Sequence, residues 1–212
     1  MGNSNFWSVA RAMKERISKK RFSHLIQENA IENVIQGLFK EDMSLLSEVY
    51  AYPQAEYICF SEFPIGDGFA DFVVFTGRSR MEVIVIEIKG ADFSFSNSSS
   101  YRNISFKINE AAQQVRGKLN FIKTNYNEFR AFVHKVREQV ELGRNIYNSL
   151  LGPNGYLHVD PNKDICVSGV LIGGNCKDDL YESKLRHELE TTSSSKIRVE
   201  SWDSWMRKLT RE

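Results

Sequence analysis

The run Met81-Glu82-Val83-Ile84-Val85-Ile86-Glu87-Ile88-Lys89 carries branched apolar side chains at both odd and even positions for most of its length. A strand sends alternate side chains to opposite faces, so this run has no polar face to give to water. It belongs in the middle of a sheet that is covered on both sides. Val83, Val85, Glu87 and Lys89 fall on one face and Ile84, Ile86 and Ile88 on the other. Just upstream, Gly68-Phe69-Ala70-Asp71-Phe72-Val73-Val74-Phe75 reads as a second strand, with Thr76-Gly77-Arg78-Ser79-Arg80 as the turn between them. A turn centred near Ser79 sets Asp71 across from Glu87 in an antiparallel pair. Opposed residues have Cβ atoms roughly 4.5–5.5 Å apart, close enough for two carboxylates to share one divalent ion. Glu87 and Lys89 at the end of a buried strand are costly unless paired or bound to a cation, and the like charges of Asp71 and Glu87 need the same relief.

The rest of the chain supplies the layers. An amphipathic helical region is expected from about residue 5 to 50, a strand near 56–62, helices over 109–150, and a loop at Gly152-Pro153-Asn154-Gly155. A buried strand follows at 165–172, ended by Gly173-Gly174, then a helix near 178–189, a strand at 197–200 and a last helix containing Trp202 and Trp205. Hairpin-linked strands, a helical crossover and returning strands predict a mixed β-sheet flanked by helices on both faces, an α/β fold. With 42% hydrophobic residues in 212, the chain can bury one good core. The expected organisation is a helical region over 1–50 packed on a core over 51–212, one domain in all. The serine-rich stretch at 94–100 reads as a linker leaving the acidic strand end.

Asn109 is a candidate cap for a helix whose apolar face is Ala111, Ala112, Val115, Leu119 and Ile122. At about 100° per residue, Gln114 lies nearer that face than Gln113. Lys107, Arg116, Lys118 and Lys123 flank the same helix and are the expected nucleic-acid contacts. A second basic concentration, Arg11, Lys14, Arg16, Lys19, Lys20 and Arg21, reads equally as a solvated helix face. The formal net charge of +1 decides nothing, because binding to nucleic acid needs a local basic groove.

Asp71, Glu87 and Lys89 match the acidic residue and the acid-x-Lys of the PD-(D/E)xK nuclease superfamily. The longer string from Ser61-Glu62-Phe63-Pro64 through Ile86-Glu87-Ile88-Lys89-Gly90-Ala91-Asp92 to Ala111-Ala112-Gln113-Gln114-Val115-Arg116 resembles the nuclease domain of the Shedu anti-phage defence proteins, over roughly residues 40 to 125. Ala70 stands where a proline often precedes the first acid. The resemblance implies a restriction-endonuclease-like core and Mg²⁺-dependent hydrolysis of DNA, with Mn²⁺ as a substitute. Asp71, Glu87 and the Ile88 carbonyl would hold the metal, Lys89 would orient water or offset charge, and Gln114 would position water or the DNA backbone. It further implies a homo-oligomer and one more acid from the first helices, for which Glu28, Glu32, Glu41 and Glu48 are all open. The front domain common in that family is not expected here, so regulation through it is not carried over. The alternative is a nucleic-acid- or protein-binding module on the same fold without turnover, which would not require all three of Asp71, Glu87 and Lys89.

Other chemistries find little support. His24, His134, His158 and His187 have no ligand-spaced partners, and no serine sits in a nucleophile elbow. Cys59, Cys166 and Cys176 form no metal pattern and read as reduced thiols of a cytoplasmic protein. Gly173-Gly174-Asn175 lacks the Lys-Ser/Thr of a phosphate loop, and neither an organic cofactor nor a membrane span is expected.

Overall fold

A computed structural model describes residues 16–96 and 104–212. Three helices come first, α1 (Lys19–Gln27), α2 (Glu32–Glu41) and α3 (Ser44–Tyr50), followed by strands β1 (Tyr57–Ile65), β2 (Gly68–Thr76) and β3 (Glu82–Ile88). Helices α4 (Phe106–Thr124) and α5 (Tyr126–Glu141) lead to β4 (Leu150–Leu151), β5 (Cys166–Ile172), α6 (Asp179–Thr191), β6 (Ile197–Glu200) and α7 (Trp202–Met206). The strands form one six-stranded sheet in the order β4-β1-β2-β3-β5-β6. It is antiparallel from β4 to β3 and parallel from β3 through β5 to β6.

β3 lies inside the sheet, where its two apolar faces require it. Val83 and Val85 pack with Ala111, Val115, Leu119 and Ile122 of α4 and with Phe129 and Val133 of α5. Ile84, Ile86 and Ile88 pack on the other side with Phe22, Ile35, Phe39, Leu46, Trp202 and Trp205. Phe22, Phe39, Trp202 and Trp205 are all fully buried, and their ring centroids lie 5.2–6.0 Å apart. Aromatic pairs at such spacings add about 0.5–1.5 kcal/mol each beyond the area they bury. The first helices and the last are thereby joined on one face of the sheet.

Several details differ from the sequence reading. α4 begins at Phe106 rather than after Asn109, because Ile108 is fully buried and draws the first turn into the core. The Ser105 carbonyl accepts from the Ile108 and Asn109 N–H groups, and the Ser105 side chain makes no capping bond. α5 ends at Glu141, where Gly143 (φ 85°) turns back to donate to the Val140 carbonyl at 2.8 Å. Leu150, expected in a helix, instead forms the short edge strand β4 against Ile58 and Cys59. The helical region expected from residue 5 is three short helices over 19–50; its first part, with Arg11 and Lys14, lies outside the described residues. In the serine-rich stretch Ser94 bridges Asn175 and Ser96 bridges Ile104, while residues 97–100 lie outside the described set.

Candidate active site

The β2–β3 ladder runs from Thr76 opposite Glu82 to Phe72 opposite Ile86. Asp71 and Glu87 are the next pair in that register, and there the ladder stops. The cause is a change of side in β2. Ala70 and Val73, three residues apart, both belong to the α4-side core, where regular alternation would separate them. The neighbouring strand does the same, with Phe60 and Phe63 both on that side. Ser61 opposite Phe72 and Phe63 opposite Ala70 bracket Glu62 against Asp71 with no residue inserted in either strand, and Glu62 has φ 53°, a left-handed conformation that breaks the regular pleat there. Beyond this shared fault β2 leaves β3. The Ile88 N–H, which would otherwise face an absent strand, donates to Asp71 Oδ2 at 2.8 Å.

Two lysines meet the acidic pair from different elements. Glu87 is only 4% exposed, and its Oε1 lies 2.7 Å from Lys118 Nζ on α4. Lys89 Nζ lies 3.3 Å from the Glu32 carboxylate on α2. The Lys89 backbone is held on both sides, its N–H donating to the Ile172 carbonyl at 2.8 Å and its carbonyl accepting from Trp202 Nε1 at 3.0 Å. Gln36, one turn along α2, donates to Glu32 at 3.3 Å and also reaches Asp71. Burial raises the Asp71 pKa against the opposing help of the Ile88 N–H and both lysines. Burial, then repulsion from Asp71, pushes Glu87 to about 7 despite Lys118 and Lys89.

Glu32 reaches the strand end because the α1–α2 loop docks there through backbone, Ala91 N–H donating to the Ala30 carbonyl at 2.8 Å. Gly90 permits the approach: a Cβ at that position would overlap the Asp92 carboxylate and stand 3.0 Å from Glu32 N and 3.3 Å from Ala30 O. The other candidate acids are engaged elsewhere, Glu28 with His24, Glu41 with Arg21 and Glu48 with Arg211. The sequence left this choice open because the four acids differ only in where their loops dock.

α4 forms one wall of the site. Lys107, Gln114 and Lys118 fall on one side of it, within about 40° of one another at 100° per residue. Lys107 Nζ meets Asp92 Oδ2 at 2.8 Å. Gln114 is exposed rather than turned into the core, and the helical period sets it on the same side of α4 as those two lysines. Arg116 is on the far side of the helix, donating to Ser193 Oγ at 3.4 Å and the Leu189 carbonyl at 3.5 Å on the α6 side. Lys123 is exposed seven residues on, near the same side as Arg116. The four basic residues therefore do not form one footprint. Beside the acids, a cavity of about 370 Å³ is lined by Glu32, Lys89, Asp92, Lys107 and Glu110.

Among the described residues, no three His, Cys, Asp or Glu side chains gather at metal-ligating spacing. A cation at this site would rest on Asp71, Glu87, the Ile88 carbonyl and water. The fit is still good in kind: two hard oxygen donors share a buried corner, where burial raises both carboxyl pKa values and Asp71 adds to the rise at Glu87. Outside the site, the three cysteines are free and no described helix is long and apolar enough to cross a membrane. Two participants were missed by sequence reasoning, Gln36 and the inward role of Lys118. The spacing of Glu32 and Gln36, one turn apart, was the available signal for the first. The family model for the C-terminal part of the Shedu protein SduA matches residues 29–206, a span that contains every residue of this site. No curated protein matches the sequence.

Proposed function

Because the chain belongs to the Shedu protein SduA C-terminal family, we propose that it is a Mg²⁺-dependent endonuclease that hydrolyses DNA phosphodiester bonds in anti-phage defence. The observation that carries this reading is the buried Asp71–Glu87 pair at the point where β2 parts from β3, with Lys89 pinned beside it. Such a pair is a poor structural device and a good cation site, since its repulsion disappears when a divalent charge is shared. The chemistry supplied by Mg²⁺, or Mn²⁺ in its place, is polarisation of the scissile phosphate and a lowered pKa for the attacking water.

The chain's own residues do the positioning. Asp71 is oriented by the Ile88 N–H and Gln36, so its oxygens keep a fixed bearing toward Glu87. Lys89 holds a positive charge next to the acids, aimed by Glu32, where it offsets charge that builds on the phosphate in the transition state. Gln114, exposed on the Lys107 side of α4, would hold water or a phosphate of the bound strand. DNA rather than RNA follows from the family, since no residue here distinguishes a deoxyribose.

Plasmid nicking tests the reading. Activity is expected with Mg²⁺ or Mn²⁺ and not in EDTA, and Asp71→Ala or Glu87→Ala should remove it while circular dichroism stays unchanged. Lys89→Ala should lose cleavage yet keep most DNA affinity. Full cutting in EDTA, or by a folded Glu87→Ala protein, would overturn the metal assignment.

A further inference from the structure

Lys118 stands apart from the other basic residues of α4. Its side chain is 16% exposed, it is the contact to Glu87 at 2.7 Å, and it influences Asp71 as well. Lys89, the lysine of the acid-x-Lys pattern, is paired with Glu32 instead. An ammonium therefore already engages an oxygen of the carboxylate that a metal ion would need. The geometry points to Lys118 as an internal counter-ion that holds Glu87 when the cation is away and, displaced when it binds, turns along the α4 wall to take a phosphate of the DNA.

The inference rests on the reading of Asp71 and Glu87 as the cation site, and it follows from charge and reach. With all three acids ionised, Asp71, Glu87 and Glu32 exceed Lys89 and Lys118 by a single negative charge, and a proton on Glu87 removes even that, so the corner is close to balanced without a cation. A divalent ion added to that set makes Lys118 the surplus positive charge, repelled at close range in a poorly solvated place. Its four-carbon stem lets the ammonium travel several ångströms without moving the helix. The direction open to it is the cleft, since Lys107 of the same helix side already lines it. Lys118 would thus be withheld from DNA until the cation is bound, which couples the two ligands through one side chain.

The test measures binding, not turnover. Mn²⁺ affinity is read from the free-ion electron paramagnetic resonance signal, and DNA affinity by fluorescence anisotropy in EDTA and in Ca²⁺, for wild type, Lys118→Met and Lys118→Gln. Both variants should bind Mn²⁺ at least fivefold tighter than wild type. In EDTA all three proteins should bind DNA within twofold of one another, whereas in Ca²⁺ wild type should bind at least threefold tighter than either variant. Lys118→Gln keeps a hydrogen-bond donor for Glu87, and so guards against loss of fold in Lys118→Met. Unchanged or weaker Mn²⁺ binding, or a DNA deficit of equal size with and without Ca²⁺, would overturn the inference. Glu87→Gln separates the two failures. If it keeps wild-type Mn²⁺ affinity, the cation site itself is misplaced; if it loses that affinity while the Lys118 variants behave as wild type, only the role of Lys118 falls.

Discussion

Burial and the neighbouring Asp71 carboxylate push the Glu87 pKa from 4.5 to about 7, so the folded protein keeps a proton that the unfolded chain releases. With a raised acid pKa, the native state binds more protons than the unfolded state between those two values, and stability falls as pH rises through that window. Metal-free protein should therefore melt at a lower temperature at pH 7.5 than at pH 5 by this contribution. Glu87→Gln, which imitates the protonated form, should flatten the difference and melt above wild type at pH 7.5. Calorimetry in EDTA at the two pH values decides it: a Glu87→Gln protein with the full wild-type slope would mean that Glu87 is not the titrating group. At this scale much was legible. Asp71, Glu87 and Lys89 stand together as the hairpin arithmetic around Ser79 required. Lys118 was assigned to the outside because helical period tells which residues share a side, and not what that side meets.

Among elements, the contact between α4 and β5 sets where the α4 wall of the candidate site stands. A Cβ at Gly169 would overlap Val115 Cγ1 and come within 3.1 Å of Leu119 Cδ1, and neither side chain is free to move away in a packed core. Gly169→Ala should destabilise the protein by about 1–3 kcal/mol, read as a lower urea midpoint. It should also reduce nicking more than lost stability explains, since Lys118 lies on the displaced stretch between Val115 and Leu119. Unchanged nicking by a destabilised Gly169→Ala protein would show that the α4 position is not critical. Strands β2, β3, β5 and β6 were readable because each is a dense branched or alternating run bounded by glycine or charge. β4 was not, since two leucines pair through backbone groups with no pattern of their own. The change of side at Glu62 and Asp71 was equally hidden: alternation is read along one strand, and this fault arises from two strands shifting together.

For the molecule as a whole, the division of basic residues around α4 predicts how it meets DNA. Lys107 opens on the cleft, whereas Arg116 ties α4 to the α6 side and Lys123 is exposed near that same far side of α4. Lys107→Ala should lower the slope of log affinity against log salt by about 0.9, the loss expected for one phosphate contact. Lys123→Ala should leave the slope unchanged, and equal effects of the two would place the DNA elsewhere. Saturating Mg²⁺ should raise the melting temperature by several degrees, since ligand at one hundred times its dissociation constant adds about 2.7 kcal/mol. Asp71→Asn should melt above wild type without metal and lose most of that response.

The bond from Trp202 Nε1 to the Lys89 carbonyl makes the last helix an optical witness of the site. An indole fully withdrawn from water emits toward the blue, and its emission depends on the dipole that its N–H faces. Cation binding that shifts the Lys89 backbone should change the intensity or peak wavelength of tryptophan emission. Trp202→Phe should abolish the change, while Trp205→Phe, whose ring lies 5.8 Å from Trp202 in the same cluster, should retain it. A fluorimeter then suffices to follow occupancy of the proposed cation site with no nucleic acid in the cuvette.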